Sequence, residues 1–471
     1  VVWLLALVLV PSDLPAQPTR CGPEGVSPAQ ALGIEGRKVT LFQAIAITLD
    51  RNRRMVTADL TLRERESQRR SAYSDFFPRF DVQYVARASK YEDPGAIYNL
   101  ARAHDSRRGL SLVKEGGFFE SAVFSTYPYR IDPFRMFTLT AALTQPVFTA
   151  GRFLNQYKYA RLGVDFAAIQ MEVDRQDLTL EVYEGYYGMM RGQKLLEVAK
   201  QSVLALEALR NRAQAFYDAK QMPKLDVLSV EGQLSEARKR VTQSQVQIDD
   251  GREQLNYLML LPLDTQINIV QDYEFRPAPY RVPEIFTLAA ANRLELRQAN
   301  ISAQQAVAVA EAAKGALWPS VYLEIRGSRQ NDDWNVLDQE GINEWSITGA
   351  VQWNFDMFRN RETLQERRAV AARAWTEQEQ LVDTVFRDVS RAYRKMKRTE
   401  SDITQNRKAV EYRREAFRVA KERYNAMLST YTEVLDAERQ LHQSLGDYYE
   451  SLIDYRLDQA TLERQMGVLR N

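Results

Sequence analysis

Leu441, Leu445, Tyr448, Leu452, Tyr455, Leu462, Met466 and Leu469 recur at alternating four- and three-residue spacing, interrupted only at Gln459. That is a heptad seam on one face of an α-helix. A second stripe, Tyr449, Ile453, Leu457 and Ala460, runs beside it. One seam suits a two-stranded coiled coil, whereas two adjacent seams predict a helix with a neighbour on each side. Very long helices are predicted over about 150–217 and 360–424, each extending roughly 100 Å at 1.5 Å per residue. Shorter helices, about 40–77, 224–260, 284–317 and 432–469, would reach roughly half that length. Two short helices stacked end to end match one long helix, an arithmetic that suits a cylinder wall better than a globule.

Four segments switch to a period of two. Phe80, Val82, Tyr84, Ala86 and Ala88 alternate with Asp81, Gln83 and Arg87, and Phe137, Leu139, Ala141, Leu143 and Val147 alternate with Thr138, Thr140 and Thr144. Val321, Leu323 and Ile325 alternate with Tyr322, Glu324 and Arg326, and Trp345, Ile347, Val351 and Trp353 with Ser346, Thr348, Gln352 and Asn354. Each run is about 9–11 residues, enough for a tilted strand to cross a bilayer. One apolar and one polar face is the pattern of a water-filled barrel. Phe80, Trp345, Trp353 and Phe355 stand at strand ends, where an interfacial girdle would place aromatics. Four strands cannot close around a channel, and an open edge in lipid leaves backbone groups unpaired. Three subunits would supply twelve strands and a closed barrel. The bland alternative, a soluble β-hairpin cap on each helical pair, leaves the unbroken apolar faces unexplained.

The chain is duplicated. Tyr217-Asp218-Ala219, Leu225-Asp226-Val227-Leu228 and Glu231-Gly232-Gln233-Leu234 recur in constant register as Tyr424-Asn425-Ala426, Thr432-Glu433-Val434-Leu435 and Glu438-Arg439-Gln440-Leu441. Asn52-Arg53 and Phe77-Pro78 recur as Asn292-Arg293 and Trp318-Pro319, with a slip of one residue. Two repeats follow, 40–270 with strands at about 79–90 and 136–149, and 284–469 with strands at about 320–329 and 345–356. Each runs helix, strand, strand, very long helix, turn, helix. The proline-rich stretch 271–283 links them. Residues 90–135, rich in Gly, Tyr and Arg and lacking a counterpart in the second repeat, are expected to form an extracellular loop.

Composition narrows the function. Charged residues make up 27% of the chain, yet the formal net charge is +1, with both signs interspersed. That mixture argues against nucleic-acid binding. Mean hydropathy is −0.43, and beyond residue 10 no apolar stretch approaches the roughly 20 residues of a spanning helix. The run Val1 to Val10 followed by Leu14-Pro15-Ala16 reads as a signal-peptide remnant over 1–16, and 17–39 as an N-terminal extension. Cys21, the only cysteine, is preceded by Arg20 where a lipid-acceptor site wants a small residue, so an inert thiol is favoured over acylation. His104 and His442 are too few and too scattered for a metal site. No nucleophile–base pair, phosphate loop or Gly-rich cradle stands out, so no enzyme and no cofactor are expected.

In order and duplication these segments resemble the TolC family of outer-membrane efflux proteins. The resemblance rests on Leu41-Phe42-Gln43-Ala44-Ile45 leading to Asn52, Phe77-Pro78, Gln145-Pro146-Val147-Phe148 with Gly151-Arg152, and the two Tyr-x-Ala hairpins. It implies a mainly α fold with a transmembrane β-barrel portion. A homotrimer would set a twelve-stranded barrel in the outer membrane upon a long α-helical barrel through the periplasm. The function implied is a passive export duct for a tripartite efflux pump or a type I secretion system. Its partners would be a periplasmic adaptor, an inner-membrane pump and outer-membrane lipid. A periplasmic helical scaffold without a pore is the competing reading. By resemblance, Lys220, Gln221, Met222, Met427 and Leu428 at the hairpin turns would touch the adaptor. Tyr424 would be a constriction tyrosine with Asp226 as its carboxylate partner, and Glu433 and Asp436 would line the entrance. The family usually carries Gly where Lys220 and Met427 stand, and Ser429 replaces an arginine that bridges subunits. The residues also allow a plainer reading, with Thr430-x-x-Glu433 as a capping box and Pro223 as a first-turn proline.

Overall fold

The computed structural model describes residues 38–89, 134–221, 223–337, 341–354, 356–426 and 428–469. The signal-peptide remnant, Cys21, His104, nearly all of the 90–135 loop, Met222, Phe355 and Met427 lie outside them. Eight helices are described: α1 (Leu41–Arg51), α2 (Arg53–Ser74), α3 (Arg152–Asp218), α4 (Lys224–Leu258), α5 (Val282–Asn292), α6 (Leu294–Gly315), α7 (Met357–Asn425) and α8 (Tyr431–Gln465). The strands are β1 (Lys38–Val39), β2 (Arg79–Ser89), β3 (Phe134–Phe148), β4 (Asn268–Ile269), β5 (Ser320–Asn331) and β6 (Ile342–Gln352). The duplication is metric as well as sequential. α1 and α5 both have 11 residues, α2 and α6 both have 22, and α4 and α8 both have 35.

The helices expected over 40–77 and 284–317 are each broken in two. At Asn52 and Arg293 the backbone turns extended, with ψ of 134° and 112°. Neither break contains Pro or Gly; a side chain makes it instead. Asn52 Nδ2 donates to the Leu258 carbonyl at 3.0 Å while its Oδ1 accepts from the Arg54 amide at 2.9 Å. Arg293 Nη1 donates to the Arg464 carbonyl at 2.7 Å. Asn52 therefore corresponds to Arg293, the same step of 241 residues that relates Phe77 to Trp318, and the one-residue slip disappears.

The chain divides into two compact units. One gathers the described residues up to Arg65, Gly163–Ala303, and those from Ala372 on; the other holds Glu66–Leu162 and Gln304–Ala371. The second unit contains a four-stranded antiparallel sheet in the order β2-β3-β5-β6. Directly opposed residues share a face. Phe80, Leu143, Ile325 and Ile347 form one cross-strand row and Val82, Ala141, Gly327 and Trp345 the next. On the opposite face run Gln83, Thr140, Ser328 and Glu344, then Arg79, Thr144, Glu324 and Thr348. β3 ends in a bulge between Pro146 and Phe148, as proline without an N–H requires. Among the described strands the sheet is open, β2 and β6 each having one neighbour.

The first unit is helical apart from the β1–β4 pair, and its core lies in three clusters. The second stripe of α8 is divided between two of them, Ile453 joining one and Tyr449 packing with the first stripe against the other. Leu452, Tyr455, Leu462 and Met466 pack with Val385, Val389 and Met396 of α7, whereas Ile453 joins Val182, Met189, Met190 and Leu255 of α3 and α4. The third cluster sits where α3, α4 and α8 near their turn-proximal ends, with Leu206, Leu209, Ala213, Val227, Val230, Tyr431, Val434 and Leu435.

Candidate functional site at the hairpin turns

Both hairpins close in the same way. After α3 the Gln221 amide donates to the Phe216 carbonyl and the Lys220 amide to that of Tyr217, both at 2.9 Å. This is a Schellman turn, and it needs a left-handed residue at Lys220, whose φ is +57°. Lysine thus takes the conformation that glycine adopts without steric cost. In the second hairpin the Leu428 amide donates to the Arg423 carbonyl at 2.8 Å, the same six-residue closure. Leu225, Leu228 and Leu428 stand exposed around the turns.

The caps differ from the sequence expectation. Pro223 is the N-cap of α4 (φ −66°, ψ 148°) rather than its first helical residue. Thr430 caps α8 without a side-chain hydrogen bond. Ser429 takes its place as a partner, donating from Oγ to Glu433 at 2.6 Å. The box forms at Thr40 instead, with Gln43 N–H to Thr40 Oγ1 at 3.3 Å and Thr40 N–H to Gln43 Oε1 at 3.0 Å.

Glu433 also lies 3.9 Å from Arg423, and Asp436 lies 3.2 Å from Arg439. Both carboxylates are half-exposed, and each keeps a local cation. Tyr424 is half-buried and stacks edge-on against Tyr431 (5.1 Å between centroids) and Phe216 (6.4 Å). No hydrogen bond joins it to Asp226. Burial pushes its phenol up, the nearby Arg212 pulls it down, and the Asp226 charge pushes it up again. Tyr431 is buried with its hydroxyl unpaired.

A contact the sequence did not suggest joins the hairpins: Arg212 Nη1 donates to Asn425 Oδ1 at 2.6 Å. Its one sequence signal is the change from Asp218 to Asn425 between the repeated Tyr-x-Ala motifs. Arg212 lies six residues before the end of α3, whereas Asn425 is the last residue of α7. The guanidinium, at the end of a long side chain, spans that difference, while Phe216 and Tyr424 near the two helix ends pack against each other. Deeper along the helices, Ser202 donates to Glu438 at 2.6 Å. Among the described residues no group of three or more His, Cys, Asp or Glu could hold a metal ion, and no helix is long and apolar enough to cross a membrane.

The sequence profile of the family described as outer membrane efflux protein matches residues 44–259 and 286–468, both repeats in full outline. Solved structures share the fold at low identity. VceC of Vibrio cholerae is 15% identical with a TM-score of 0.75, over 91% of this chain and 96% of that one. The CmeC outer membrane channel of Campylobacter jejuni is 13% identical with a TM-score of 0.74, over 91% and 86%. The open state of the MtrE outer membrane channel of Neisseria gonorrhoeae is 18% identical with a TM-score of 0.70, over 91% and 89%. No curated protein matches the chain.

Proposed function

The chain belongs to the outer membrane efflux protein family, and from that premise we propose that it is one subunit of a passive trans-periplasmic export duct. The observation that carries this reading is the sheet. Its apolar face is exposed along its length: Phe80 66%, Val82 61%, Trp345 78%, Ile347 62% and Val351 70%. An apolar face of that extent, on a sheet with two unpaired edges, suits lipid outside and neighbouring strands at both sides. Three copies give a twelve-stranded barrel in the outer membrane with the polar rows Gln83–Glu344 and Arg79–Thr348 toward water. The helical part extends into the periplasm. The two turns, with Lys220, Gln221, Met222, Met427 and Leu428, meet a periplasmic adaptor coupled to an inner-membrane pump. Tyr424, Asp226 and Ser429 stand at the constriction, and three copies of Glu433 and Asp436 favour cations there.

The test is assembly. Native mass spectrometry of the detergent-extracted protein should give a trimer, and a stable monomer under mild conditions would overturn the reading. Val82→Arg and Val351→Arg should each cost about 2–4 kcal/mol of barrel stability near the bilayer midplane, whereas Gln83→Arg should assemble normally. Equal defects at all three positions would mean that the sheet has no distinct lipid and lumen faces.

A further inference from the structure

Glu438 is 1% exposed, an unusual fate for a carboxylate. It sits on α8, in the second hairpin, and accepts a hydrogen bond from Ser202 of α3, in the first, at 2.6 Å. The same repeat position in the first hairpin, Glu231, is exposed, and the position matching Ser202 is Ala409. The contact is therefore not a by-product of duplication; it exists on one side only. Beside it lies a groove of about 370 Å³ between α3, α4 and α8, lined among others by Arg240, Gln247, His442, Asp447 and Glu450.

We propose that Ser202 and Glu438 form a latch holding the two hairpins together, a latch whose closed, buried state is favoured when Glu438 is protonated and disfavoured when it is ionised. The proposal rests on the duct reading above and adds gate residues to it, deeper than the turns. Burial raises the Glu438 carboxyl above its ordinary value of 4.5, against the opposing pull of the Ser202 hydroxyl and of Arg240. Parting the hairpins would hydrate the group and return it toward that value. The latched state thus binds the proton more tightly. It is fully favoured below about pH 4.5 and loses ground as pH rises through the raised value. A difference of one pKa unit between the two states changes their ratio about tenfold.

The groups facing Glu438 are few. α4 contributes Arg240, whose charge draws the Glu438 carboxyl down. α8 contributes His442, whose Nε2 lies 3.4 Å from Glu438 Oε1. Burial and the repulsion of Arg240 lower that imidazole to about 4, so it stays neutral from pH 5 to 8 and adds no switch of its own. Asp447 and Glu450, further along the groove on α8, are also raised by burial, which makes Glu450→Gln the natural control.

Two measurements test the latch, one of which needs no pore. Hydrogen exchange of the detergent-extracted protein at pH 7 should show the amides of 431–442 exchanging about tenfold faster in Ser202→Ala, as loss of one buried hydrogen bond implies. Ser202→Thr, which keeps the hydroxyl, should restore protection. Unchanged exchange in Ser202→Ala overturns the latch whether or not the protein conducts. In planar bilayers, wild-type conductance should rise from pH 5 to pH 8. Glu438→Gln, a permanent stand-in for the protonated acid, should stay near the pH 5 level throughout, whereas Glu450→Gln should retain most of the rise. A Glu438→Gln variant with the wild-type pH response overturns the proposal. A wild-type chain that forms no channel would instead sink the duct reading, leaving the exchange result to judge the latch.

Discussion

Gly192 and Gly251 of the first hairpin and Thr399 and Asp458 of the second occupy the same two steps of the repeat, each 207 residues from its counterpart. In the first hairpin the helices touch backbone to backbone. A Cβ added at Gly251 would stand 2.6 Å from the Met189 nitrogen, and one at Gly192 2.8 Å from that of Ile248. In the second hairpin the helices meet through a buried polar pair. Thr399 Oγ1 donates to Asp458 Oδ2 at 2.7 Å, and Lys395 Nζ lies 2.8 Å from Oδ1. Around both crossings the apolar residues are conserved in kind within the repeat, Val182 matching Val389, Met189 matching Met396 and Leu255 matching Leu462. One helical pair is thus held by close packing that no side chain may enter, the other by a carboxylate that is 3% exposed and satisfied from two sides. The same architecture tolerates either solution, but the two halves have different vulnerabilities.

The largest effect should come from filling the glycine crossing. Gly251→Ala places a methyl against a fixed backbone nitrogen, so α3 and α4 must move apart; about 3 kcal/mol is expected, at the upper end of overpacking costs. Gly188→Ala, where an added Cβ meets nothing within 4 Å, should be neutral or stabilising by up to about 1 kcal/mol from helix propensity. Denaturant midpoints of the two variants check this, and equal midpoints would mean the crossing is not close-packed. Next comes Asp458→Ala, which removes the acceptor for Thr399 and Lys395 and leaves a void; about 2 kcal/mol is expected. If Asp458→Ala proves harmless while Gly251→Ala is severe, the polar crossing is incidental and the hairpins differ less than their contacts suggest.

Much of this organisation was legible beforehand, because periodicity and repetition are written in residue types. The two stripes of α8 predicted two neighbours, and Ile453 and Leu452 do serve separate clusters. The alternation around Val82 and Ile347 predicted the faces of the sheet. The breaks at Asn52 and Arg293 were hidden because both residues can sit inside a helix; only their reach to a carbonyl on another helix makes them caps. The hairpin turns were located, but not their partners. Arg212 meets Asn425 across two hairpins, a pairing of helices that spacing along the chain does not encode. Glu438 was hidden by its own repeat, since Glu231 in the matching place is exposed.

The turns offer the smaller tests. Lys220 holds a positive φ that costs an ordinary L-residue about 1–2 kcal/mol. Lys220→Gly should recover about 1 kcal/mol, part of the relief being offset by the greater freedom of glycine in the unfolded chain. A loss of stability would show that the lysine side chain, exposed at the turn, has a partner in the assembled protein.

The smallest effect is expected at Tyr424, where the resemblance would have placed a hydrogen bond to Asp226. The hydroxyl makes none, and the ring is what packs, edge-on to Tyr431 and Phe216. Tyr424→Phe keeps both ring contacts and should change stability by no more than about 0.5 kcal/mol. Arg212→Ala removes a hydrogen bond that ties the hairpins near the turns and should cost about 1 kcal/mol despite its exposure. Comparing conductance in planar bilayers then assigns the constriction. If Arg212→Ala raises conductance and Tyr424→Phe does not, the hairpins are held at the tips by the guanidinium, and the phenol only fills space. The reverse order would mean that Tyr424 and Asp226 do bond in the assembled duct, in a geometry that one chain alone does not adopt.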